Sequence, residues 1–135
     1  MVDVGRIERT PAFVLEHEDF SRNLQLIKEL QERIPARFLL ALKGFSLYEV
    51  FDEIALIATG ATASSLHEAL LASEYFSEVH TYCPVYLPRD FAQMSNMASH
   101  MTFNSIEQWN HYRDKLPSGC NAGLRINPEY APVQT

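Results

Sequence analysis

Several features are scarce or missing in this 135-residue chain, and each absence narrows what it does. No stretch approaches the roughly 18 consecutive apolar residues of a transmembrane helix, so no membrane partner is expected. The first ten residues mix charges and lack an apolar core segment, which argues against a secretory leader. Only two cysteines occur, Cys83 and Cys120, far apart and outside any Cys-x-x-Cys pattern. Free thiols of a cytoplasmic protein are the simplest account of them. Basic runs, low-complexity tracts and Gly/Ser linkers are absent. The net charge of −6 argues against nucleic acid as the main partner and is compatible with a cationic ligand. The five histidines, His17, His67, His80, His100 and His111, are scattered. None falls in a His-x-x-x-His or Glu-x-x-His pattern on one face, so no metal site is expected.

What is there is globular: 47% hydrophobic and 21% charged residues, about one ordinary domain by length. Pro11 to Leu15 looks like a short strand. Glu16 to Glu32 predicts a helix, because Phe20, Leu24, Ile27, Leu30 and Ile34 recur at three- and four-residue steps. Pro35 stops it. Phe38 to Lys43 follows as an apolar strand ending in a lysine. Ser46 with Glu49, Ser65 with Glu68, and Ser105 with Gln108 each have the spacing of a capping box at the start of a helix. Between them lie a small-residue strand at Gly60–Ala63, strands at Val79–Cys83 and Met101–Asn104, and a helix marked by Phe91, Met94, Met97 and Ala98. Asn121–Asn127 is the last strand, stopped by Pro128.

The predicted strand ends fall at Lys43, Ala63, Cys83, Asn104 and Asn127, spaced by 20, 20, 21 and 23 residues. A regular alternation of strand and helix at this spacing predicts parallel βα units. An open doubly wound sheet and a (β/α)8 barrel both satisfy it. No Gly-x-Gly-x-x-Gly phosphate loop follows the first strand, and the small residues of the second suit a crowded barrel interior, which favours the barrel. Eight units need roughly 250 residues, so the expectation is an α/β chain forming the N-terminal part of a TIM barrel, about five of its eight strands. On this reading residues 1–135 are an incomplete barrel domain.

Barrel chemistry gathers at the C-terminal strand ends. By period-two alternation Lys43 shares a face with Leu39 and Ala41. It is either a lysine that ends a strand and reaches solvent, or an inward amine poised to condense with an aldehyde, pyridoxal phosphate being the common one. Arg125 lies opposite Leu124 and Ile126 in alternation, so it either enters the same mouth or is an ordinary exposed arginine. Glu68, third after Ser65, has a sufficient role in the cap, worth about 0.5–2 kcal/mol. Cys83 stands at a strand end, but no partner spacing supports it as a nucleophile. Trp109, Tyr112 and the methionines suit a core or an interface.

Several segments in order carry a resemblance: Thr10-Pro11-Ala12-Phe13, Leu40 to Ser46 (LALKGFS), Thr62 to Ala69 (TASSLHEA), Glu78-Val79-His80, Phe103-Asn104-Ser105, and Gly123 to Tyr130 (GLRINPEY). Together they resemble the carboxynorspermidine (carboxyspermidine) decarboxylases, pyridoxal-phosphate enzymes of the alanine-racemase-like fold. Gly44 departs from the alanine often found there. The resemblance implies that Lys43 carries pyridoxal phosphate, with Glu68 and Arg125 beside the same pocket. It implies decarboxylation of a cationic amino-acid substrate, carboxynorspermidine or carboxyspermidine, in polyamine biosynthesis. It also implies a homodimer with sites at the subunit interface. The phosphate grip and a second, β-rich domain are expected outside these 135 residues, so the chain alone is expected to be inactive. Decarboxylation of diaminopimelate or another basic amino acid, and a non-catalytic pyridoxal-phosphate carrier, are the alternative readings.

Overall fold

In the computed structural model residues 5 and 7–130 are described. They divide into two compact units, one reaching to Arg37 and the other beginning at Phe38. The first unit contains α1 (His17–Arg33), with Glu18 and Asp19 in its first turn and Arg33 in its last, as the helix dipole favours. An Arg22–Asp19 ion pair and a Gln25–Glu29 hydrogen bond of 3.1 Å lie along its surface. The strand expected at Pro11–Leu15 does not form, and Phe13 is fully exposed. A strand exists only as a member of a ladder, and these residues have none.

The second unit is built on one five-stranded sheet: β1 (Leu39–Ala41), β2 (Gly60–Ala63), β3 (Val79–Tyr82), β4 (His100–Phe103) and β5 (Asn121–Leu124). All neighbours are parallel, and the strands lie in chain order, β1-β2-β3-β4-β5. A doubly wound sheet reverses its order at a switch point; this one never does, which is the order of a barrel wall. The connecting helices are α2 (Phe51–Ala55), α3 (Leu66–Tyr75), α4 (Pro88–Met97) and α5 (Ile106–Tyr112).

Within this unit the helices cover one face of the sheet. Ala61 and Ala63 of β2, Val79 and Thr81 of β3, and Met101 and Phe103 of β4 are buried, while the alternate residues of β3 and β4 are half-exposed. The helices bring Phe51, Ala69, Ala72, Phe91, Met94 and Tyr112 to this core. Small residues in β2 permit close packing. At Gly60 an added Cβ would stand 2.3 Å from the Glu78 carbonyl oxygen. Tyr86, absent from any predicted element, fills the core's far end against Phe91, Phe103 and Tyr112. Its hydroxyl lies 3.1 Å from the Thr81 hydroxyl and 3.0 and 3.1 Å from the Thr81 and Thr102 carbonyls. This satisfies a phenol that would otherwise be costly to bury.

Two of the expected serine caps form, with the third residue's side chain accepting from the N–H one residue before the cap, Ser64 N for Glu68 and Asn104 N for Gln108. The Ser65 hydroxyl accepts from Glu68 N at 3.2 Å, and the Ser105 hydroxyl from Gln108 N at 3.1 Å. The third does not. A 3-10 turn at Tyr48–Val50 precedes α2, Leu47 takes its N-cap position, and no side chain caps it. Ser46 stands one residue too early for its hydroxyl to face the first-turn N–H groups. The outer strands are also shorter than predicted: β1 stops at Ala41 and β5 at Leu124.

Candidate active site

Parallel register sorts the other face of the sheet into rows. Ala41, Thr62, His80, His100 and Asn121 are successive partners across the five strands. Tyr82, Thr102 and Gly123 form the next row toward the C-terminal edge. Asn104 and Arg125 follow two residues beyond Thr102 and Gly123, on the same side by alternation.

Lys43 lies in the turn that leaves β1. Gly44 N and Phe45 N both donate to the Ala41 carbonyl, at 2.9 and 3.1 Å. The turn closes two residues earlier than the predicted strand end, so the turn rather than a strand holds the lysine. Its neighbour Leu42 is buried, whereas Lys43 is exposed at the edge where all five strands end.

Arg125 is fixed at the opposite end of the row. Its backbone N–H donates to the Phe103 carbonyl at 2.9 Å, continuing the ladder past β5. The guanidinium Nη1 donates to the Tyr82 hydroxyl and, at 3.3 Å, to Asn104 Oδ1. Tyr82 in turn donates to Asn104 Oδ1 at 2.8 Å, and the guanidinium carbon stands 5.5 Å from the Tyr82 ring centroid. Three strand ends thus converge on one cation. Lys43 and Arg125 follow β1 and β5, the two edges of the sheet, four interstrand spacings or roughly 19 Å apart along it.

Glu68 is occupied. Its carboxylate accepts from Ser64 N at 2.7 Å while its own N–H donates to Ser65, so it ties the end of β2 to the start of α3. Cys83 also holds this corner, donating to the Ser64 carbonyl at 3.1 Å. Burial, with the nearby Glu68 and Asp90 charges, pushes its thiol up to about 11. That disfavours the thiolate a cysteine nucleophile needs. Both cysteines are free.

Sequence reasoning passed over Tyr82 and Asn104, although both stand at predicted strand ends. It also read the histidines as scattered, and the sheet overturns this for two of them. His80 and His100 are register partners, stacked with centroids 4.2 Å apart. Glu78 joins them, its Oε2 3.2 Å from His80 Nε2. The signal was the 20-residue period itself, which sets residue 80 beside residue 100.

No family model matches the chain. Known proteins do resemble it. It is 50% identical over 128 residues to a carboxyaminopropylagmatine decarboxylase of Synechocystis sp., 93% of this chain and 33% of that one. Carboxynorspermidine/carboxyspermidine decarboxylases of Campylobacter jejuni and Herminiimonas arsenicoxydans are each 33% identical, over 124 and 120 residues. The solved structure of carboxynorspermidine decarboxylase from C. jejuni complexed with norspermidine superposes with a TM-score of 0.84 at 33% identity, covering 91% of this chain and 34% of that one. The chain therefore spans about a third of the length of the curated relatives it matches. These similarities bear out the resemblance read from the motifs.

Proposed function

We propose that this protein takes part in pyridoxal-phosphate-dependent decarboxylation of a carboxylated polyamine, with Lys43 as the residue that carries the cofactor. The 50% identity over 128 residues to a carboxyaminopropylagmatine decarboxylase carries the reading. The residues at hand fit the cofactor: an exposed primary amine suits an aldehyde, and a hydrogen-bonded guanidinium on the same edge suits an anionic group. Pyridoxal phosphate, when bound, supplies an electron sink for the charge left by loss of carbon dioxide.

Each residue then has a task. The Lys43 amine, presented by its turn, would hold the cofactor through its aldehyde. Arg125 offers a fixed positive charge at the barrel mouth, and Tyr82 and Asn104 keep its plane in one orientation. Glu68 shapes the mouth by holding the Ser64–Ser65 corner, a positioning role compatible with a place near the cofactor. Closure of the sheet into a (β/α)8 barrel, a homodimer and a cytoplasmic location belong to the same proposal. Among the described residues no helix is long and apolar enough to cross a membrane.

Carboxynorspermidine and carboxyspermidine are the substrates first expected. The higher identity to the Synechocystis relative, 50% against 33%, favours carboxyaminopropylagmatine as a second reading. Assays with these three and diaminopimelate side by side separate them. Borohydride reduction after incubation with pyridoxal phosphate should leave the pyridoxyl label on the Lys43 peptide. A label elsewhere, or wild-type turnover by Lys43→Ala, would overturn the assignment.

A further inference from the structure

We propose that Glu78, His80 and His100 form a binding site for a divalent transition-metal ion of zinc type, separate from the Lys43 edge. Glu78 immediately precedes β3, two residues before His80, and His100 is the register partner of His80 on the next strand. Their ligand atoms all lie within 4.8 Å of one another. Four ligands held tetrahedrally at about 2.0–2.1 Å from a zinc ion are about 3.4 Å apart. The Glu78–His80 pair, at 3.2 Å, already has that separation. Both side chains are 25% exposed.

His100 supplies the independent observation. Its Nε2 lies 3.3 Å from Asn121 Nδ2, and its Nδ1 is buried with no hydrogen-bond partner. A buried, unsatisfied ring nitrogen is costly. Turning the Asn121 amide, whose oxygen and nitrogen are interchangeable in shape, lets it accept from Nε2–H. The Nδ1 lone pair is then left for an ion, with Asn121 as the outer partner that metal-bound histidines commonly have. Two imidazoles and a carboxylate suit zinc better than magnesium or calcium, which prefer all-oxygen sites. The stacked rings, 14° from parallel, must swing apart, because each lone pair lies in its ring plane. The ion would clasp β3 to β4 two rows below the Asn104–Arg125 cluster. Its carboxylate and rings take no part in the proposed decarboxylation.

Zinc titration of the protein against a chromophoric chelator tests this. The expected result is uptake of one Zn²⁺ per chain, with His80→Ala and His100→Ala each binding at least tenfold more weakly. In the unsubstituted protein, proton NMR should show the ring signals of His80 and His100 shifting with zinc while those of the exposed His17, His67 and His111 stay in place. No stoichiometric uptake, shifts confined to the other histidines, or undiminished affinity in the folded variants would each overturn the proposal. None of these readouts depends on pyridoxal phosphate, so the two proposals fail separately.

Discussion

Arg125 is legible in the sequence only as a residue that alternates away from two aliphatics; what it touches is not. Its partners are 43 and 21 residues earlier in the chain. Tyr82→Phe removes the hydroxyl that accepts from Arg125 and donates to Asn104. Losing a hydrogen bond of about 1 kcal/mol should weaken pyridoxal-phosphate binding roughly fivefold, measured by titrating the cofactor absorbance. The thermal midpoint should fall by no more than a few degrees, because Tyr82 and Asn104 are only half-buried and Arg125 is exposed. Two buried groups make a second prediction. Cys83 is raised from 9.0 to about 11 by burial, and Tyr86 from 10.0 to about 12 by burial. Each folded value lies above its unfolded one, so the unfolded chain loses protons first as pH rises. The stability these groups confer is intact below pH 9 and lost progressively from there toward pH 12. Urea unfolding midpoints should be flat with respect to these two groups from pH 7 to 8.5 and fall above 9. Tyr86→Phe, though less stable at neutral pH by about 1–3 kcal/mol, should show a shallower alkaline decline.

Elements whose signals lie within four residues were legible. Ser65 with Glu68, and Ser105 with Gln108, form their caps because donor and acceptor are set by helical geometry alone. Ser46 had the same spacing and failed, since a cap also needs the helix to begin at the next residue. Pro11–Leu15 had strand-forming residues and failed, since pairing is not local. At β2 the composition predicted crowding, and the structure shows its source in the approach of Gly60 to Glu78. Gly60→Ala must push the β3 backbone away. It should destabilise the protein by about 1–3 kcal/mol in chemical unfolding, as overpacking typically does. An unchanged midpoint would show that the strands yield freely there.

At the largest scale the second unit rests on one covered sheet face and an edge strand, β5, whose residues are exposed. All four residues of β5 are exposed, Ile126 beyond it is 79% exposed, and a shallow groove opens between Trp109 and residues 122–124. An unpaired parallel edge beside apolar surface is a template for association. Sedimentation of the 135-residue chain should therefore show concentration-dependent self-association, and Leu124→Lys with Ile126→Lys should reduce it. A monomer at all concentrations would count against an available edge. The strand order is the decisive feature at this scale: spacing of about 20 residues permits two closures, whereas an unbroken order matches only the barrel wall.

Sequence alone determined the alternation of strands and helices, the two working caps and the likeness to carboxynorspermidine decarboxylases. All of these are encoded in short segments, through periodicity, capping geometry or motif. Tertiary structure decided which side chains meet. It set Arg125 on Tyr82 and Asn104, and brought Glu78, His80 and His100 together. The physical reason is register: a shift of one residue between neighbouring strands would send each of these side chains to the opposite face, and register is set by packing across the whole sheet.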